Sequence, residues 1–361
     1  MSATPITAPN DRIAILDCWR GFAIFGILVV NIITFSAINH DFEQLTLNSA
    51  LWYDTLARHI SSLFFESKFY IIFSFLFGIG FSVQIESLAK KGVNISRFYT
   101  KRLAILFIIG LIHSMFWWGD VLRLYAILGF GLLLYWHLSV KALLVLSALL
   151  LILAQMISIF PDVFGEFASP KASDNIFKTL YFALIKMAPT AFALFLLGRV
   201  VGKIGLLKNL ADKKSLMKKV IIIGLIIWAS LTGMLALLSD PYHPMATLPK
   251  TLSDMALSSV YLAVLGLLLV YHKFALFTQS LANVGKLALT NYVCHTVICV
   301  FIFQGLNYQG KLQMGGLLVI ALLIFIGQMT FSHFWVKRFN YGLLEWLWRS
   351  LTIGQWQKLM K

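Results

Sequence analysis

His113, Asp120 and Arg123 sit in an otherwise apolar stretch, Gly110–Gly129, reading GLIHSMFWWGDVLRLYAILG. Ionisable groups in hydrocarbon are costly unless paired or facing water, so they mark a functional site by default. His113 and Asp120 are seven residues apart, close to two helical turns, and face one cavity if the helix persists. A carboxylate beside a histidine orients the imidazole and stabilises its protonated form, which is how a general base is built. The same residues serve equally as a hydrogen-bonded structural cluster in which Arg123 neutralises Asp120. Trp117, Trp118 and Gly119 mark an interfacial turn, where amphipathic rings prefer to sit. Two spans therefore meet at Gly119-Asp120, with His113 about two turns down one of them.

Further polar residues lie along other apolar runs. Asp17 and Arg20 are three apart and share a helical face. They form either an interfacial salt bridge or a cationic lip for an anionic cofactor, since the planar fork of Arg holds phosphate oxygens bidentately. Asn31, about three turns deeper, needs a polar partner in lipid and acts as inter-helix glue or lines a substrate path. Glu66 and Lys68 stand near the outer end of the next run, where both can snorkel to water. Gly26, Gly78 and Gly80 signal close helix approach. His40 belongs to the first outer loop and can approach the same side as Asp120. Asn291 and His295 are four apart on one helical face, suited to a polar interior. No phosphate loop, HExxH zinc site or nucleophile elbow is present, and no metal or tightly bound cofactor is expected.

These residues must be positioned by membrane spans. The 361 residues are 59% hydrophobic and 12% charged, with mean hydropathy +0.82. Soluble domains carry about a quarter charged residues, so the composition indicates an all-α, polytopic transmembrane helical bundle. About ten spans of near bilayer length fall at roughly 20–38, 61–84, 102–118, 121–138, 141–160, 181–200, 219–238, 255–271, 286–304 and 315–335. Lys186 and Pro189 interrupt the sixth, and a broken half-span around 176–188 is compatible with a cavity lining. The net charge of +15 reflects basic loops on one side of the membrane, among them Lys90, Lys91, Arg97, Lys101 and Arg102, then Lys203 through Lys219, and finally Lys337 to Lys361. The alternate loops carry most of the acids, including Asp41, Asp54, Asp162, Asp240 and Asp254. The positive-inside rule then puts both termini in the cytoplasm and Asp120 at the outer face.

No basic, aromatic-interleaved domain is present, so membrane lipids rather than nucleic acid are the expected surroundings. Cys18, Cys294 and Cys299 have no metal-ligand or disulfide spacing and are expected to pack in the core. The expected organisation is a single bundle over 1–335, with 1–11 a polar, disordered leader and the first apolar run a retained span rather than a signal peptide. Residues 336–361 form a C-terminal amphipathic helix and tail on the inner surface. The absence of an internal repeat weighs against repeat-built transporter folds.

The chain resembles the YeiB-like family of bacterial multi-spanning membrane proteins, a domain of unknown function numbered 418. The resemblance rests on the run from Leu16-Asp17-Cys18-Trp19-Arg20-Gly21 to Asn31, on Lys68 through Gly80, and on Gly110 through Asp120. It continues over Gly285-Lys286-Leu287-Ala288-Leu289-Thr290-Asn291-Tyr292 and Glu345-Trp346-Leu347-Trp348-Arg349. At His295 the family commonly has Gln, which weakens an essential role for that imidazole.

The Asp-x-x-Arg-Gly opening is in turn similar to that of transmembrane acyltransferases, including the heparan-glucosaminide N-acetyltransferase group. The order of Asn31 and His40 after it is shared with that group, at a different spacing. The resemblance implies a bundle in a bacterial inner membrane that takes an acyl group from cytoplasmic acyl-CoA to an acceptor at the outer face. Arg20 and Asp17, with Lys101 and Arg102, would form the acyl-CoA entry. His113 or His40 would be the general base and Asp120 would orient it. Asn31, Glu66, Lys68, Arg123, Asn291 and His295 would line the substrate path. Two alternatives stand beside this reading: a permease with an intramembrane relay of His113, Asp120, Glu66 and Lys68, and a non-catalytic structural membrane protein.

Overall fold

The computed structural model describes residues 9–36, 51–160, 183–238 and 244–361. Those residues form helices and connecting turns, without strands. The helices are α1 (Pro9–Ser36), α2 (Trp52–Phe64), α3 (Lys68–Lys90), α4 (Ile95–Ser114), α5 (Leu122–Leu134) and α6 (Val140–Ile159). They continue with α7 (Ala188–Lys203), α8 (Lys214–Ala236), α9 (Thr247–Val270), α10 (Ala275–Lys286), α11 (Ala288–Val300), α12 (Met314–Arg338) and α13 (Leu343–Ile353). Eight helical segments are long and apolar enough to cross a membrane. The third and fourth expected spans correspond to α4, which carries Arg97, Lys101 and Arg102 in its first turns, and to α5. At 13 residues, α5 reaches only about 20 Å.

Local chemistry sets several boundaries. The Asn94 side chain accepts the Arg97 amide at the start of α4, and Ser139 does the same for Ala142 at α6. The expected break at Lys186 and Pro189 is a π-helical turn, Ala183–Met187, leading into α7. Pro189 occupies the first turn of α7, where its missing N–H costs nothing. The earlier part of the anticipated half-span lies outside the described residues.

Contacts between loop ends sort the bundle into two faces. On one, Gly310 donates to the Ser36 carbonyl, Gly315 donates to Asp54, and Lys68 pairs with Asp254. On the other, Lys203 reaches the Leu138 carbonyl, Trp348 reaches that of Arg102, and Glu345 meets the start of α11. This is the alternation of acidic and basic loops seen in the sequence. The second face is the basic one, which the positive-inside rule assigns to the cytoplasmic side.

The core is organised around α1, whose Ile24, Leu28 and Ile32 are fully enclosed. At its basic end α1 crosses α10 almost backbone to backbone. A Cβ on Gly285 would overlap the Asp17 carbonyl, and one on Gly21 the Leu281 carbonyl. A second core joins α3 to α7 through reciprocal contacts of Gly78 with the Phe195 carbonyl and Gly198 with that of Phe75. Small residues allow this approach, and dispersion between close helices drives association where lipid supplies no hydrophobic force. Cys18 and Cys299 are buried, Cys294 is half-buried, and all three are free thiols.

Candidate functional site

A cavity of about 300 Å³ opens between α1, α3, α4, α5, α10, α11 and α13, at the lower bound of ordinary small-molecule sites. Arg20, Arg102, Lys286 and Arg349 stand around its basic end. Its inner wall is apolar and aromatic, with Phe73, Leu76, Phe77, Leu106, Tyr125 and Tyr292. Cations at one end and rings at the other suit an amphiphilic anion.

The close crossing of α1 and α10 delivers Arg20 to this cavity. Arg20 pairs with Asp17 at 3.3 Å, and its guanidinium reaches the open side of Gly80, where a Cβ would lie 3.0 Å from Nη2. The Arg102 guanidinium lies 3.6 Å over the Trp348 ring, and that of Arg349 lies 5.0 Å over Tyr341. Among the described residues neither Arg102 nor Arg349 is paired with a carboxylate. Lys101, expected to join Arg20 and Arg102, is exposed and outside the cavity lining. It lies one residue, about 100° of helix, from Arg102, so the two side chains diverge.

The C-terminal helix forms part of the cavity wall. Glu345 accepts the Leu289 and Thr290 amides at 2.6 and 3.1 Å, together with the Thr290 hydroxyl. A carboxylate from α13 thus caps the N-terminus of α11, where orphan amides and the helix dipole favour negative charge. Burial pushes the Glu345 carboxyl above its ordinary range, and the hydrogen bonds from Thr290 and Leu289 oppose that shift. Glu345, Trp348 and Arg349 belong to a segment expected only to be interfacial. The Glu-Trp-Leu-Trp-Arg run, two large rings between opposite charges, is the sequence signal for them.

The histidine cluster lies beyond the inner wall. The helix does not persist from His113 to Asp120: α4 ends at Ser114 and α5 begins at Leu122. The intervening turn folds Asp120 back, with His113 Nδ1 at 2.8 Å from Asp120 Oδ1. Asp120 Oδ2 accepts the Arg123 backbone N–H at 3.0 Å, and the Arg123 side chain stands 3.4 Å from it. His113 Nε2 lies 2.7 Å from the Thr296 hydroxyl. With Asp120 accepting at Oδ1, Nδ1 is the donor, and in the singly protonated ring Nε2 is left to accept from the Thr296 hydroxyl. His113, Asp120, Arg123 and Thr296 are all buried. Tyr292 joins the two regions: it lines the cavity, and its ring centroid is 5.2 Å from that of His113.

The other expected residues go elsewhere. Lys68 does not snorkel; it is buried, pairs with Asp254 at 2.7 Å and donates to the Ser62 carbonyl at 2.9 Å. Glu66 is exposed and accepts from Ser62 at 3.2 Å. A left-handed Ser67 (φ 65°) separates the two side chains. Asn291 bonds the Val284 carbonyl and the Ser332 hydroxyl, and its own carbonyl accepts from Gln328. His295 Nε2 lies 2.7 Å from Gln328 Oε1, so these residues form a polar seam between α11 and α12. Asn31 is half-buried on α1, its carbonyl accepting from Thr34. His40 lies outside the described residues. Among the described residues no three His, Cys, Asp or Glu side chains gather as metal ligands.

The family described as "Protein of unknown function (DUF418)" matches residues 201–355. "Uncharacterized protein YxaH" of Bacillus subtilis (strain 168) is 30% identical over 406 aligned positions, spanning 100% of this chain and 99% of that protein. The chain belongs to the DUF418 family. "Uncharacterized protein YeiB" of Escherichia coli (strain K12) is similar at 26% identity, with 95% of this chain and 97% of that protein covered. An "Uncharacterized 39.9 kDa protein in amylase 3'region" of Bacillus acidopullulyticus is 28% identical over 96% of each chain. No solved structure matches. The DUF418 match runs from the end of α7 through α13 and so includes Lys286, Tyr292, Thr296, Glu345 and Arg349. His113, Asp120 and Arg20 lie in the part matched by the full-length relatives.

Proposed function

We propose that this DUF418 protein is a transmembrane acyltransferase of a bacterial inner membrane. It would take an acyl group from acyl-CoA at the cytoplasmic face to a hydroxyl or amine acceptor reaching in from the opposite face. The observation that carries the reading is Tyr292, a wall residue of the cationic cavity whose other side packs on an Asp-oriented histidine. Arg102 and Arg349, without a carboxylate partner among the described residues, are suited to the CoA phosphates, with Arg20 and Lys286 adding positive potential. The narrow apolar part suits the thioester arm. His113, its Nδ1–H held by Asp120, is the base that accepts a proton from an attacking hydroxyl or amine. The permease alternative draws less support, because Lys68 and Glu66 have partners outside the His113 network.

The test is acyl-CoA binding to the detergent-purified protein, by thermal shift and calorimetry. Acyl-CoA is expected to stabilise the wild type, the double variant R102A/R349A to lose the effect, and H113A to keep it. A well-folded wild type that responds to no acyl-CoA would overturn the reading.

A further inference from the structure

We propose that Thr296 is an acyl-accepting nucleophile, so that transfer proceeds in two half-reactions through an acyl-threonine. The inference rests on the acyltransferase reading and adds to it a covalent intermediate.

Asp120, His113 and Thr296 form a linear chain, carboxylate to Nδ1 at 2.8 Å and Nε2 to hydroxyl at 2.7 Å. That order places a hydroxyl proton on the lone pair of an oriented imidazole, the arrangement by which enzymes activate a serine or threonine. Helical hydroxyls ordinarily bond a carbonyl one turn back, as Thr251, Thr330 and Thr352 do here. Thr296 differs: among the described residues the one hydrogen bond of its hydroxyl is to His113.

Two features give the acyl group a place. Thr296 lies four residues after Tyr292, hence one turn along the same stripe of α11, and Tyr292 is part of the cavity wall. Among the described residues the Tyr292 hydroxyl is held only by a long 3.5 Å contact from the Val121 amide, a weak anchor for a side chain standing between cavity and nucleophile. Beside His113 stands Trp117, 4% exposed, with ring centroids 6.1 Å apart. Its indole N–H is buried and has no hydrogen-bond partner among the described residues. Such a donor is costly to leave unmade and calls for an explanation. A carbonyl oxygen turning into an oxyanion is the acceptor it would serve.

In the first half-reaction Thr296 Oγ attacks the thioester carbonyl carbon while its proton passes to His113 Nε2. The tetrahedral intermediate collapses, the C–S bond breaks, and CoA leaves as thiol with that proton. In the second, an acceptor hydroxyl or amine attacks the threonyl ester, its proton passes to Nε2 and then to the departing Thr296 oxygen. With Thr296 2% exposed, water is kept from hydrolysing the ester between the halves.

The experiment incubates the purified full-length protein with carbonyl-radiolabelled acetyl-, octanoyl- or palmitoyl-CoA and no acceptor, then quenches and maps the label by peptide mass spectrometry. Label is expected on the Thr296 peptide in wild type and T296S. T296V and H113A are expected to fall by about 100-fold or more, the scale of losing an activated nucleophile or its base, and W117F to label more slowly at the same site. T296V keeps the side-chain volume; its folding is checked by thermal melt and by acyl-CoA stabilisation. Stabilisation of wild type by acyl-CoA without label at Thr296, or labelling of T296V at the wild-type rate, overturns the inference and leaves the acyltransferase reading standing. No stabilisation by any of the three acyl-CoAs overturns both.

Discussion

Lys68 and Asp254 offer the sharpest energetic test, because their roles as structural pair or substrate-path residues predict opposite results. Their charged atoms are 2.7 Å apart, and their side chains are 4% and 6% exposed. At an effective dielectric constant near 20 such a pair attracts by about 6 kcal/mol. Desolvation costs several kcal/mol per ion, so the net value of the pair is near zero. Removing one member leaves the other buried and uncompensated, at about 3–5 kcal/mol. K68M belongs at the lower end, since Lys250 still reaches Asp254 at 3.3 Å; with Lys250 45% exposed, that contact contributes about 1 kcal/mol or less. D254L belongs at the upper end, because among the described residues Lys68 then keeps the Ser62 carbonyl and the weaker influence of the exposed Glu66. The double variant K68M/D254L removes both desolvation costs and is expected within about 1 kcal/mol of wild type. Unfolding of the four proteins in mixed micelles measures the cycle. If the single losses simply add in the double variant, the buried-pair argument is wrong. If the double variant is stable yet inactive, the pair serves the substrate path.

Three further outcomes follow from the site. R102A and R349A should each weaken acyl-CoA binding by about 10- to 150-fold, the worth of a charge-assisted hydrogen bond, and less so at high salt; calorimetry with K101A as control checks this, and an equal loss in K101A would contradict the placement of Lys101 outside the cavity. G285A should destabilise by about 1–3 kcal/mol or more through overlap with the Asp17 backbone, whereas G233A, with open space around it, should gain about 0.5–1 kcal/mol of helix stability; comparable melts for the two would refute the crossing of α1 and α10. For Glu345, burial raises the folded-state pKa above the ordinary 4.5, so the native state binds this proton more tightly than the unfolded chain. Its contribution is full below the unfolded value and lost as pH rises through the raised folded value. Wild type should therefore lose stability relative to E345Q as pH rises from about 4, over a constant offset from the altered cap; a melting difference that is flat or of opposite slope would contradict the burial of this carboxyl.

Sequence alone determined the features that depend on local composition. A bilayer requires runs of about twenty apolar residues, and lysines and arginines collect on one side, so span order and the two faces are written in each segment separately. The Asp17–Arg20 pair follows from helical spacing. The approach of His113 to Asp120 is also legible, although the helix ends at Ser114, directly after His113, where the sequence places the turn about two helical turns further on. Tertiary structure alone decided which helical face meets which. Thr296 lies 183 residues from His113, Asp254 is far along the chain from Lys68, and Glu345 caps α11 across 56 residues. In lipid every span is apolar all round, so hydropathy carries no signal for the partner of a given face. Close packing at Gly21, Gly285, Gly78 and Gly198 sets that choice, through shapes that exist only once the helices are together.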